Sequence, residues 1–283
     1  MSVAARSAGV HLELRELSSV AELRPVEQLQ RAVWGVEDLE IVPATAMSAA
    51  THAGGLVVGA FVAHEMVGFA YGFVATPHGR GMAGTGLHSH MAAVLPAHRS
   101  AGVGRALKRY QAEWCRRRGL AWISWTFDPL LAKNARFNMS VLGARAHDYL
   151  IDVYGPMPGA LGGGIASDRL LALWEVPPPA VTRPFTDAAA DQQVGDVWLL
   201  VSGPDGAPTL SDTNLAIRAG PSAPEEGSAR IRIAVPAEAQ DVFADRDRAI
   251  AWREAHRLTL AQLLARGYAV TGFEGGAYVL TPE

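Results

Sequence analysis

Arg99-Ser100-Ala101-Gly102-Val103-Gly104-Arg105 is the stretch of this chain with the clearest chemical content. It stands where an apolar strand gives way to an amphipathic helix. Backbone N–H groups at a helix start have no intrahelical partner, and the helix dipole adds partial positive charge there. Gly102 and Gly104 let an oxyanion approach the backbone with no Cβ in the way, and Arg99 and Arg105 add fixed charge. The spacing predicts a cradle for a phosphate or diphosphate group. It is not a Walker loop, because no Gly-Lys-Ser/Thr follows, and Leu107 stands where a dinucleotide fingerprint needs its third glycine. The plain alternative is an ordinary strand-to-helix turn holding two glycines.

His88 and His90 come two residues apart on the strand that feeds this turn. Strand residues at i and i+2 share a face, so both imidazoles project the same way. Histidine titrates near neutrality and can act as a base or a proton relay. His90, nearer the cradle, is the better candidate. The alternative is one core histidine and one exposed one. Small Ala92 and Ala93 leave room beside the strand.

The elements that must position these groups follow from periodicity. Val103, Ala106, Leu107, Tyr110 and Trp114 form one helical stripe, with Arg105, Lys108, Arg109 and Arg116 expected on or near the solvent side. Gly119 closes that helix, and residues 121–127 resume as a strand. Upstream, the patterns predict a strand over about 11–17, a helix over 20–34, a short helix within 41–51 and a hairpin of strands 56–63 and 67–76. Gly-rich residues 77–86 read as a mobile loop. Downstream, Asp128 and Pro129 read as N-cap and first residue of a helix over 130–142. Strands are expected at 146–154 and 169–176, with a glycine-rich loop between them suited to ordering around a ligand.

Strand, glycine turn, amphipathic helix and strand resemble the core of the GNAT acyltransferase superfamily over about residues 10–176. His88-Ser89-His90-Met91, Trp125-Thr126-Phe127-Asp128-Pro129, Asn134-Ala135, Leu142-Gly143-Ala144, Tyr154-Gly155 and Ser167-Asp168-Arg169 resemble a bacterial subgroup of predicted GNAT acyltransferases. The resemblance implies an α/β, mixed-sheet fold and an acyl-CoA cofactor, acetyl-CoA by default and succinyl-CoA as an option. It implies that Ala93, Val94, Arg99, Ala101, Gly102, Val103, Gly104, Arg105, Asn134 and Asn138 hold the coenzyme. His88 and His90 resemble the His-x-His pair of the arylalkylamine acetyltransferase branch, where such residues deprotonate the amine through water. Many relatives carry a tyrosine acid where this chain has Met139. Tyr149 is then the candidate donor, alongside Tyr154, with packing the alternative for each. Arg136, Arg145 and Arg169 are candidates to pair a substrate carboxylate, since guanidinium binds carboxylates bidentately; an Asp168–Arg169 ion pair is the alternative.

Composition narrows the classes. The 283 residues are 49% hydrophobic and 19% charged, which is globular and allows one large or two ordinary domains. The net charge of −3 does not recommend nucleic acid as a partner. One cysteine, Cys115, excludes an internal disulfide and a cysteine zinc cluster, and suits a reducing cytoplasm. It reads as a packing residue. Residues 1–10 lack the apolar core of a signal peptide. Glycines and His64-Glu65 interrupt the apolar run 53–75, so no membrane span or membrane partner is expected. Arg116-Arg117-Arg118 reads as a solvated helix end. Pro177-Pro178-Pro179 divides the chain into an acyltransferase domain, 1–178, and a smaller non-catalytic α+β domain, 179–283. The latter resembles a partial repeat of the first without a glycine cradle. Strands at 196–202 and 229–235, a helix over 245–266 and two short final strands are expected there.

The function expected is acyl transfer from a CoA thioester to a small primary amine such as an amino acid, with no metal and with a homodimer allowed. The rival readings are a silent acyl-CoA-binding protein and a protein lysine acetyltransferase.

Overall fold

The computed structural model describes residues 2–7, 10–35, 40–156, 164–177, 196–211 and 230–283. They form two compact units. The first comprises Met1–His78, Met82–Trp125 and Glu175–Pro178; the second comprises Gly79–Gly81, Thr126–Trp174 and Pro179–Glu283.

In the first unit, six strands run in the order β1 (Ser2–Ser7), β2 (Val10–Glu16), β3 (Leu56–Val62), β4 (Glu65–Ala75), β5 (Gly86–Val94) and β6 (Trp122–Phe127, of which the residues through Trp125 belong to this unit). β1 adds a strand that the periodicity does not predict. Neighbours are antiparallel from β1 to β5, and β6 lies parallel to β5. Helix α1 (Val20–Trp34) starts on a Ser19/Glu22 capping box and ends at Gly35, φ 62°. Its Leu23, Val26 and Leu29 pack with Met47 of α2 (Ala44–His52) and with Val57, Phe69 and Ala93 of the sheet. Helix α3 (Val103–Arg117) lays Val103, Leu107, Tyr110 and Trp114 inward, as the stripe predicts. Lys108 and Gln111 are buried as well, which corrects the expectation that Lys108 faces solvent.

The glycine-rich stretch after β4 is pinned rather than loose. Trp122 Nε1 donates to the carbonyls of Ala83 and Gly84, at 3.1 and 3.3 Å. The ring lies against Gly86, where an added Cβ would come 2.1 Å from it, too close for either to keep its place. Gly86→Ala is therefore expected to lower stability by about 1–3 kcal/mol through overpacking, read as a reduced urea midpoint at unchanged slope. An unchanged midpoint would show that the indole moves aside freely.

In the second unit the strand order is β8 (Arg169–Glu175), β7 (Arg145–Leu150), β12 (Tyr268–Glu274), β13 (Ala277–Pro282), β11 (Ile231–Ala234), β9 (Val197–Ser202) and β10 (Pro208–Leu210). Thus β7 and β8 group with residues 196–283. The helix after β6 begins later than Asp128 and Pro129 suggest. Leu131 precedes α4 (Ala132–Ala135), which continues as a π-helix over Arg136–Val141. Asp128 instead accepts from Leu130 N at 2.9 Å and from both terminal nitrogens of Arg253, at 2.9 and 2.7 Å. Helices α5 (Ala239–Ala244) and α6 (Arg246–His256), a π-helical turn over Arg257–Ala261 and α7 (Gln262–Ala265) complete the unit. No helix among the described residues is long and apolar enough to cross a membrane.

Candidate active site

The glycine turn is built as an anion cradle requires. After a short 3₁₀ turn, Pro96–His98, Ser100 takes φ 65° and Gly102 takes φ 82°, swinging the chain into α3. No side chain caps the first turn of α3, so its leading amides are left to an external acceptor. Arg99 and Arg105 are exposed beside it. The Arg99 side chain folds back, Nε donating to the Val94 carbonyl at 3.2 Å. These residues fit a diphosphate in charge and geometry.

The strand leading there opens on one side. β5 pairs with β6 at only two positions, Leu87↔Ile123 and His88↔Ser124. On its other edge, β5 follows β4 through to Gly68↔Val94, and Leu95 N donates to Val67 O at 2.9 Å. Antiparallel amides alternate in direction, so those of Ala92 and Val94 point away from β4. A bulge inserts one extra residue of β5 between the pairs Tyr71↔Met91 and Phe73↔His88.

His88 and His90 project together, ring centroids 6.5 Å apart, with Phe73 5.4 Å from the first and 5.9 Å from the second. Ser89 between them turns to α3, donating to Gln111 Oε1 at 3.0 Å and accepting from Lys108 Nζ at 2.9 Å. Lys108 Nζ lies 3.8 Å from the centre of the Trp125 ring, and burial pulls its pKa down to about 7. The pKa of His88 is brought down to about 4, mainly by burial, with His78, His90 and Lys108 adding like-charge repulsion. His90 keeps an open edge to solvent, yet the atoms packed round it desolvate the ring enough to lower its pKa too. Among the described residues no hydrogen bond reaches the His90 ring.

Two residues absent from the sequence reading complete this group. Ser124, fully buried on β6, meets His88 Nδ1 at 2.9 Å and His78 Nε2 at 3.1 Å. Exposed His78 holds its own Nδ1 2.9 Å from the Thr76 carbonyl. The available signal was a single serine inside the apolar run Trp122-Ile123-Ser124-Trp125.

The remaining candidates lie in the second unit. The Tyr149 hydroxyl donates to Asp168 Oδ2 at 2.8 Å, and burial raises its pKa well above the usual range. Asp168 pairs bidentately with Arg257, both contacts 2.7 Å. Buried Arg169 gives Nη1 to the Asp168 carbonyl at 2.9 Å and to Asp128 at 3.4 Å, so its guanidinium is already engaged inside the unit. Arg136 is half-buried on the π-helix, Asn138 is buried on it and Asn134 is exposed on α4. Arg145 is exposed, 3.9 Å from Glu283. Met139 is buried packing. Tyr154 Oη lies 3.2 Å from Thr126 Oγ1.

The other reactive side chains are accounted for. Burial pushes the Cys115 thiol up to about 12, which makes it inert packing. Arg116 pairs with Glu113 at 2.7 Å, and Arg118 stacks 4.0 Å over Trp114, consistent with a solvated helix end.

The sequence over residues 20–137 matches the family model described as the Acetyltransferase (GNAT) family. No curated protein matches the chain. Similar solved structures include the ribosomal-protein-S18-alanine N-acetyltransferase of Escherichia coli, with a TM-score of 0.47 and 14% identity over 62% of this chain and 99% of that one. NAA60 of Arabidopsis thaliana, in complex with a bisubstrate analogue, gives a TM-score of 0.47 and 14% identity over 59% of this chain and 99% of that one. An aminoglycoside acetyltransferase from an uncultured soil metagenomic sample, in complex with trehalose, gives 0.39 and 15% over 44% and 84%.

Proposed function

We propose that this chain, whose residues 20–137 match the Acetyltransferase (GNAT) family model, moves an acyl group from a coenzyme A thioester to the primary amine of a small molecule. The observation that carries this reading is the uncapped start of α3 behind Gly102, continuous with a strand whose far edge is open. When bound, the coenzyme supplies an acyl group activated as a thioester. The leading amides of α3, with Arg99 and Arg105, hold its diphosphate. The amides of Ala92 and Val94, which point away from β4, would supply donors to a developing oxyanion. An amine attacks only when neutral, and His88, kept uncharged by its surroundings, takes the proton, with His90 beside it. Acetyl is the default donor group and succinyl the alternative. We assign the chemistry to residues 1–178 and a supporting, non-catalytic part to residues 179–283.

Calorimetry with acetyl-CoA and succinyl-CoA, followed by thiol release across a panel of amines including amino acids, tests the reading. Gly104→Val is expected to weaken coenzyme binding by about tenfold or more, which is about 1.4 kcal/mol, with the fold unchanged by circular dichroism. If neither thioester gives heat, the cradle holds something else. Binding without turnover of any amine would favour the second reading, a silent acyl-CoA binder, for which Met139 in place of a proton donor is the supporting observation.

A further inference from the structure

The ring nitrogens around Ser124 can carry only one arrangement of protons when the rings are neutral. His78 Nδ1 faces a carbonyl, that of Thr76, at 2.9 Å, so it carries the proton and Nε2 is an acceptor. Ser124 lies 3.1 Å from that Nε2 and must donate its hydroxyl proton there. Its oxygen is then free to accept, and His88 Nδ1, 2.9 Å away, is the donor. That leaves the proton-free nitrogen of His88 at Nε2.

We propose that Thr76, His78, Ser124 and His88 form a directional proton relay, in which His78 and Ser124 are positioning residues that set His88 Nε2 as the base and carry away the proton it receives. A proton bound at His88 Nε2 releases the one on Nδ1 to Ser124 Oγ, and the Ser124 hydroxyl proton passes to His78 Nε2. One N–H bond forms at each histidine, one breaks at His88, and the serine exchanges one proton for another. The charge ends on His78, whose exposed ring exchanges with water; in the reverse shift His88 Nε2 gives its proton to the departing thiolate while a proton taken up at His78 Nε2 passes through Ser124 to His88 Nδ1, which restores the start. The buried serine admits no competing solvent path at the centre of the chain. The relay explains how a histidine that is a weak base on its own can still take a proton: His88 need never hold two. This inference rests on the amine-acylation reading for its purpose but not for its existence.

The groups facing His88 are His78, His90 and Lys108, and those facing His78 are His88, Ser124, Thr76 and Trp122. Long-range ¹H–¹⁵N correlation spectra of the full chain near neutral pH read the tautomers directly. The expected result is Nδ1–H on both His78 and His88. Ser124→Ala is expected to abolish the preference at His88, while His78→Gln, whose amide oxygen still accepts from Ser124, preserves it. In turnover assays His78→Gln is expected to lose about tenfold in kcat, a fraction of a full general-base contribution, with KM unchanged. The acid limb of its rate profile should shift toward the ionisation of His88. A wild-type His88 protonated at Nε2, or a tautomer indifferent to Ser124→Ala, overturns the relay. So does a His78→Gln enzyme with wild-type kcat and pH profile. Because the tautomers are read without substrate, a correct tautomer pattern in a protein that acylates no amine upholds the relay and overturns the acyltransferase reading instead.

Discussion

Replacing His88 with asparagine lowers kcat about 10²–10⁴-fold, the usual contribution of a general base, while coenzyme affinity stays near that of the wild type. Asparagine keeps a donor where Nδ1 meets Ser124 but presents no base where Nε2 stood. The change therefore removes the proton acceptor and spares the packing. His90→Asn is expected to cost less, because its ring holds no comparable partner. The state of His88 can be followed separately by its ring resonances. Only the neutral imidazole accepts a proton. Held near 4 rather than 6.5, His88 stays neutral through the physiological range and titrates only as the pH approaches 4. A midpoint near 6.5 would show that the ring is solvated as an ordinary histidine. Equal turnover by His88→Asn and the wild type would remove it from the mechanism.

The second large effect is on stability. Asp128 and Arg253, both almost fully buried, meet through two parallel contacts of 2.9 and 2.7 Å. Arg253→Met leaves the carboxylate buried with the Leu130 amide at 2.9 Å and, for a counter-charge, Arg169 at 3.4 Å. An uncompensated buried charge of this kind costs about 3–5 kcal/mol, seen as a lower urea midpoint. The double variant Asp128→Leu with Arg253→Met removes the charge together with its partner and should recover most of that loss, because apolar replacements of buried pairs are often neutral. A loss below about 1 kcal/mol for the single variant would mean that water reaches the pair, placing it with exposed ion pairs. The same logic concerns any fragment ending near residue 178. It would keep Asp128 and Asp168 and lack Arg253 and Arg257.

The legibility of the site in the sequence divides along a physical line. The cradle could be read because it is local. Glycine spacing, a helical stripe and a closing glycine act within a turn or two of each other, and capping and periodicity are short-range. His88 and His90 could be placed on one face for the same reason, since alternation along a strand needs no tertiary partner. The stripe failed at Lys108, where a side-chain amine lies buried against Trp125 and Ser89. Periodicity ranks side chains by polarity and cannot foresee a partner brought from another strand.

What this sequence determines by itself is the run of strand, glycine turn and amphipathic helix, together with a pair of histidines facing one way before the turn. Which atoms those histidines can use was decided by tertiary structure alone. Ser124 comes to His88 from 36 residues away and to His78 from 46. Arg253 reaches Asp128 across 125. Such partners are joined by chain closure and strand register, and no spacing in the linear order records them.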